Sequence, residues 1–120
     1  MGARALERIV KAFFNSAAGF VHACRHELAV QQEVVVLLVA LPVSFFMTEN
    51  WWKRLALIGV LIIVVMVELL NTAIEALSDH VTPEQHPHIR VVKDLGSAAV
   101  FMSLMLAGLT WILVLVERLV

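Results

Sequence analysis

An all-α membrane protein is the fold class this sequence predicts, and three observations predict it. Of 120 residues, 61% are hydrophobic and only 16% are charged, with a mean hydropathy of +0.89. That apolar excess is too large for the core of a soluble domain and fits a chain that uses lipid as solvent. The apolar residues fall in runs long enough to cross a bilayer. Three prolines and five glycines leave little room for long loops, so the chain forms one membrane domain, 1–120.

The first element, 1–26, is an amphipathic surface helix. Leu6, Ile9, Val10, Phe13, Ala17, Phe20, Val21 and Cys24 repeat at i, i+3, i+4, i+7, while Arg4, Arg8, Lys11, Asn15, His22 and His26 project from the opposite face. A basic amphipathic helix lies in the membrane interface more naturally than it spans it. Charges recurring along it distinguish it from a secretory signal, so it is expected to be retained in the mature protein.

The first span covers 28–47. About 20 residues at 1.5 Å rise cross a hydrocarbon core of about 30 Å, and Pro42 inside the run is tolerated in a membrane helix. Thr48-Glu49-Asn50 marks a turn, and Trp51, Trp52, Lys53 and Arg54 form an interfacial anchor. The second span, 51–78, is longer than a bilayer requires. A polar loop, 79–88, follows with Thr82-Pro83 and His80, His86 and His88; loop histidines are usually solvated. The third span, 89–120, exits at Trp111 and Glu117-Arg118. Arg4, Arg8, Lys11, Arg25, Arg90 and Lys93 outnumber Lys53, Arg54 and Arg118 on the other side, which directs the amino terminus and the 79–88 loop to the cytoplasm.

Several classes are disfavoured. The near-zero net charge makes no electrostatic case for nucleic acid. A single cysteine rules out an intrachain disulfide framework and a cysteine-based zinc site. Neither G-x-x-x-x-G-K-[ST] nor G-x-G-x-x-G occurs, which excludes a P-loop or Rossmann nucleotide site.

The informative residues are ionisable groups in otherwise apolar helices, where charge is costly and rarely faces lipid. Glu68, Asn71, Glu75 and Asp79 share one stripe at i, i+3, i+7 and i+11. Lys93, Asp94 and Ser97 open the third span, and Glu27 and Glu33 flank the start of the first. All lie towards the same membrane face. Carboxylates converging with a lysine suit Mg²⁺ and substrate phosphates, with a desolvated glutamate such as Glu68 as general base. The same residues could line an ion or proton path, or glue helices together. Residue types alone leave those three readings open.

A resemblance decides among them. V-E-L-L-N-T-A-I-E-A-L-S-D (Val67 to Asp79) and V-K-D-L-G-S-A-A-V (Val92 to Val100) closely resemble the signature of the prokaryotic integral-membrane diacylglycerol kinases. R-I-V-K-A (Arg8 to Ala12) and E-L-A-V-Q-Q-E (Glu27 to Glu33) are similar to the same family at the expected spacing. The resemblance implies a surface helix plus three transmembrane helices, assembled as a homotrimer with active sites shared between protomers in the bacterial inner membrane. It implies transfer of the ATP γ-phosphoryl group to diacylglycerol, giving phosphatidic acid. Carried over by position, Glu68 resembles the general base, and Glu27 and Glu75 resemble the carboxylates holding Mg²⁺ on ATP. Lys93 and Asp94 resemble the nucleotide-contacting pair, and Glu84-Gln85-His86 the loop that closes on it. Arg8, Asn15, Asn71 and Asp79 complete the implied ATP site, while Arg8, Glu33, Glu68 and Ser97 are the implied lipid contacts.

Asn15 and Ala17 depart from the family, standing where its best-known members carry aromatic residues, and His86-Pro87-His88 adds proline to the loop. Members from Gram-positive bacteria prefer undecaprenol; the Q-Q-E ending and the Lys93-Asp94 context look more like the diacylglycerol type. A small ion or proton transporter subunit is the alternative from a different class. The near absence of polar residues in 55–67 and 100–109 counts against a through-going path.

Overall fold

The computed structural model describes residues 2–120. They form four helices: α1 (Gly2–His26), α2 (Leu28–Met47), α3 (Trp51–Val81) and α4 (Pro87–Leu119). α2, α3 and α4 are each long and apolar enough to cross a membrane.

α1 and α2 are separated by one residue. Glu27 is extended, at φ −114° and ψ 112°, and caps α2 with its backbone while its side chain makes no capping hydrogen bond. Its N–H donates to the Ala23 carbonyl at 2.8 Å, and its own carbonyl accepts from Gln31 N–H at 3.0 Å. The backbone is therefore satisfied on both sides of the bend, and the carboxylate is left for other partners.

The α2–α3 turn is tied by side chains. Asn50 Oδ1 accepts from the N–H groups of Trp52, at 2.8 Å, and Lys53, at 3.1 Å, so Asn50 satisfies two of the donors a helix start leaves open. Arg54 Nε donates to the Thr48 carbonyl at 3.1 Å. Its guanidinium lies 4.4 Å from the Phe45 ring centroid and 4.5 Å from that of Trp51, a cation–π contact on two rings. Lys53 pairs with Glu117 and closes the same end of the bundle.

At the opposite end the loop is shorter than the sequence suggests. α3 runs past Ser78 to Val81 and α4 begins at Pro87, so the expected 79–88 loop contracts to 82–86. Thr82 N–H still donates to the Ser78 carbonyl at 3.0 Å. Pro87 sits at the helix start, where its missing N–H costs nothing and its fixed φ already suits the helix. His86 Nδ1 accepts from His88 N–H at 3.2 Å and caps α4.

The bundle is held chiefly by α3 against α4. Besides Val65, buried positions on α3 fall at Leu57, Val60, Val64, Asn71 and Ser78; those on α4 fall at Gly96, Ser103, Ala107 and Val114. Both series step by three, four or seven residues, the spacing of a seam between two helices crossing at a shallow angle. The α4 side is mostly small, which lets the backbones approach where packing rather than water drives association. Trp111, expected to mark the exit of the third span, instead packs on the Val60–Val64–Ala107 core. Its Nε1 donates to the Leu57 carbonyl at 3.0 Å, because an indole N–H inside an apolar bundle needs an acceptor.

Most large apolar side chains point outward, among them Leu28, Leu70, Leu77 and Leu113. α3, with 31 residues, is about 46 Å long, against a hydrocarbon core of about 30 Å. It therefore exceeds one bilayer core, and Glu75 and Asp79 lie in its last two turns.

Candidate active site

The loop end of the bundle collects most of the ionisable residues singled out from the sequence. α3 carries Glu68, Asn71, Glu75 and Asp79 on successive turns because its final third is a polar stripe on an apolar helix. Asp79 Oδ1 lies 2.6 Å from Lys93 Nζ, joining the last turns of α3 to the first turns of α4. Both side chains remain substantially exposed, so the pair keeps access to water and to a soluble ligand. Two turns deeper, Asn71 is buried and donates through Nδ2 to Glu75 Oε1 at 3.3 Å. Its Oδ1 is buried without a partner, as is Glu33 Oε1 on α2. Buried polar atoms are normally satisfied; these two stand out at this end of the bundle, and Asn71 Oδ1 is closed off against Gly96 on α4.

Three other carboxylates lie within electrostatic reach of Glu68 there. Glu68, half-buried on α3, feels the charges of Glu75 and Glu27, and Glu33 on α2 feels that of Glu68. Like charges gathered at the edge of an apolar bundle repel, and relief comes from protons or from a cation.

The chemistry of this donor set fits Mg²⁺. Among the described residues no three His, Cys, Asp or Glu side chains converge as a complete metal cage. Mg²⁺ does not need one, since it usually takes one or two carboxylates with substrate phosphates and water supplying the rest. Glu27, whose carboxylate is free of helix capping, and Glu75 are the candidates.

Beside this cluster the 82–86 turn and the start of α4 enclose a cavity of about 590 Å³. It is lined by Glu84, Gln85, His86, Arg90, Lys93 and Asp94, among others. The expected loop residues and the Lys93-Asp94 pair therefore share one concave surface.

Three expected residues are not brought into the cluster within one chain. Arg8 and Asn15 are exposed on α1, which packs chiefly against α2, and Arg8 lines a separate shallow apolar groove with Ala5, Ile9 and Ala12. Ser97 is exposed on α4 and makes no side-chain hydrogen bond among the described residues.

One residue escapes sequence reasoning altogether. Gly96 faces Asn71 so closely that a Cβ built on it would lie 2.2 Å from Asn71 Oδ1 and 3.3 Å from Cγ. The glycine is what lets the carboxamide occupy its pocket against α4. A lone glycine beside Ser97, Ala98 and Ala99, facing a buried asparagine one helix away, is the small-residue signal that could have found it.

Known proteins resemble this chain along most of its length. Residues 14–115 match the prokaryotic diacylglycerol kinase family. A diacylglycerol kinase of Pseudomonas aeruginosa is 41% identical over 114 residues, which cover 95% of this chain and 93% of that protein. The diacylglycerol kinase of Escherichia coli K12 is 37% identical over 108 residues, covering 90% and 88%. That of Haemophilus influenzae is 30% identical over 106 residues, covering 88% and 90%. With most of its length matched, from the middle of α1 into the last turns of α4, the chain belongs to the prokaryotic diacylglycerol kinase family.

Proposed function

We propose that this protein is a lipid kinase that transfers the γ-phosphoryl group of Mg·ATP to the hydroxyl of diacylglycerol, yielding phosphatidic acid and ADP. The observation that carries the reading is the gathering of Glu27, Glu33 and Glu75 about Glu68, with Asn71 bonded to Glu75, beside a loop cavity lined by Lys93 and Asp94. A water-soluble nucleotide reaches that end from one side and a lipid hydroxyl from the other.

In this reading Glu68 accepts the proton of the lipid hydroxyl as its oxygen attacks the γ-phosphorus, and the bond to the ADP oxygen breaks. Lys93 faces the phosphate charge that builds during transfer, with Asp79 orienting its ammonium group. Asn71 holds Glu75, and Asp94, Glu84, Gln85 and His86 enclose the nucleotide. Glu27 and Glu75 would hold Mg²⁺, which when bound neutralises phosphate charge.

Arg8, Asn15 and Ser97 stand apart from the cluster in one chain, and much of the apolar surface is uncovered. Both features support a homotrimer in which α1 of one protomer completes the site of another. α1, with its basic polar face, acts as an interfacial surface helix. The excess of Lys and Arg at this end supports a cytoplasmic orientation in the bacterial inner membrane.

The test supplies purified protein in mixed micelles with labelled ATP, Mg²⁺ and either dioleoylglycerol or undecaprenol. Labelled phosphatidic acid is the expected product. Phosphorylation of undecaprenol alone overturns the substrate, and ion flux in liposomes without any lipid phosphorylation overturns the reaction class. Glu68→Gln should abolish turnover with ATP binding retained; normal rates in that variant would remove Glu68 as the base.

A further inference from the structure

Outside the acidic cluster, the last turn of α1 carries a second concentration of ligand atoms. His22 and His26 are one helical turn apart, both exposed, with ring centroids 4.5 Å apart and planes inclined by 47°. Neither imidazole enters a hydrogen bond or ion pair among the described residues, so their nitrogens are free to bind.

We propose that His22 and His26 form a two-histidine site for a borderline transition-metal ion, Ni²⁺, Cu²⁺ or Zn²⁺. The i, i+4 spacing stacks both side chains on one face of the helix, and neutral imidazole is the preferred nitrogen ligand of these ions. An ion about 2.0–2.1 Å from each nitrogen sits about 3.2 Å from each ring centroid, so ligand angles of about 90–109° set the centroids about 4.5–5.2 Å apart. The observed 4.5 Å meets the lower end of that range with no movement of the backbone. A square-planar or octahedral ion fits directly, and a tetrahedral one needs a small opening of the pair. The C-terminal end of a helix also favours positive charge. Mg²⁺ is not a competitor here, since it takes oxygen ligands.

The other histidine pair lacks these features. His86 and His88 stack nearly face to face at 5.4 Å and 27°, and His86 Nδ1 is already committed to capping α4.

His26 immediately precedes Glu27, the single extended residue between α1 and α2. An ion bridging the last turn of α1 therefore clamps the chain where it enters the acidic cluster. The consequence for activity, which rests on the kinase reading, is that the bound ion slows phosphoryl transfer.

Two measurements on the untagged full-length protein in detergent micelles separate these statements. The first titrates Ni²⁺ alone, without nucleotide or lipid, by calorimetry. One saturable ion per chain is expected, and His22→Ala should weaken it at least as much as the roughly 10–100-fold that loss of a mere supporting contact costs a metal site. His88→Ala should leave it unchanged. No saturable binding by the wild type, or binding unaffected by His22→Ala, overturns the site. Alanine is the better helix former, so the variant retains α1. The second adds Ni²⁺ to the lipid kinase assay. Inhibition of the wild type with resistance of His22→Ala supports the coupling, while equal inhibition of both overturns it. Saturable Ni²⁺ binding by a protein that phosphorylates no lipid leaves the metal site standing and removes the kinase reading.

Discussion

Replacing Gly96 by alanine adds a single methyl group, and the structure fixes where it goes. That carbon would stand 2.2 Å from Asn71 Oδ1 and 3.3 Å from Cγ, whereas ordinary contact begins near ~3.4 Å. The carboxamide must retreat by about 1 Å, or α3 and α4 must part by a similar amount. Rotation of Asn71 breaks the 3.3 Å bond from its Nδ2 to Glu75, and leaving buried polar atoms unpaired costs about 1–3 kcal/mol. Separation of the helices forfeits packing along the Gly96–Ser103–Ala107 seam, a comparable overpacking penalty of about 1–3 kcal/mol. The gain of roughly 0.5–1 kcal/mol from removing a mid-helix glycine offsets only part of this. A net loss of about 1–2 kcal/mol is expected, read as a lower midpoint in detergent unfolding.

The double variant makes the explanation specific. The Asn71 Cβ lies 3.9 Å from the added carbon, an ordinary contact. Gly96→Ala placed on Asn71→Ala should therefore cost nothing further, a positive coupling in the double-mutant cycle. If Gly96→Ala is as stable as wild type, or equally harmful in the presence of Asn71→Ala, the close approach is not what holds these helices in register. In the lipid kinase assay Gly96→Ala should raise the KM for ATP, because Glu75 loses its Asn71 partner.

Further substitutions probe other parts of the bundle. Lys93→Met should cost no more than about 1 kcal/mol of stability, as befits an exposed ion pair, yet lower kcat by about 10²–10³; a large loss of stability with normal kcat would reverse that assignment. Trp111→Phe removes the indole bond to the Leu57 carbonyl and should destabilise by roughly 0.6–1.5 kcal/mol in a membrane bundle, seen as earlier unfolding with KM unchanged. Asn50→Ala strips the α3 cap and should cost about 1 kcal/mol, again without a kinetic effect, because the turn lies at the far end from the acidic cluster.

Much of the architecture was legible in the residues. Lipid requires each spanning segment to satisfy its own backbone, which makes helices the only option for runs such as 28–47 and ties their number and length to hydropathy. The polar stripe of α3 follows from helical periodicity alone, and Glu68, Asn71 and Glu75 do lie together. The loop is shorter than its polar residues suggest, since polarity does not end a helix: Asp79 and His80 remain helical, and Pro87 opens α4 instead of interrupting it.

Which helix face meets which neighbour was not legible, since nothing local says that Trp111 turns inward or that Gly96 receives Asn71. That register is decided by the fit of small against large side chains across α3 and α4, a property of two segments together. Arg8, Asn15 and Ser97 show the same limit, because their positions in the sequence do not bring them to the cluster within one chain. The sequence by itself determined the spans, their order and the inventory of charges, through the demands of lipid on backbone and side chain. Tertiary structure decided which of those charges meet and the close approach of Gly96 that lets Asn71 reach Glu75, because both depend on packing between helices that periodicity within one helix cannot encode.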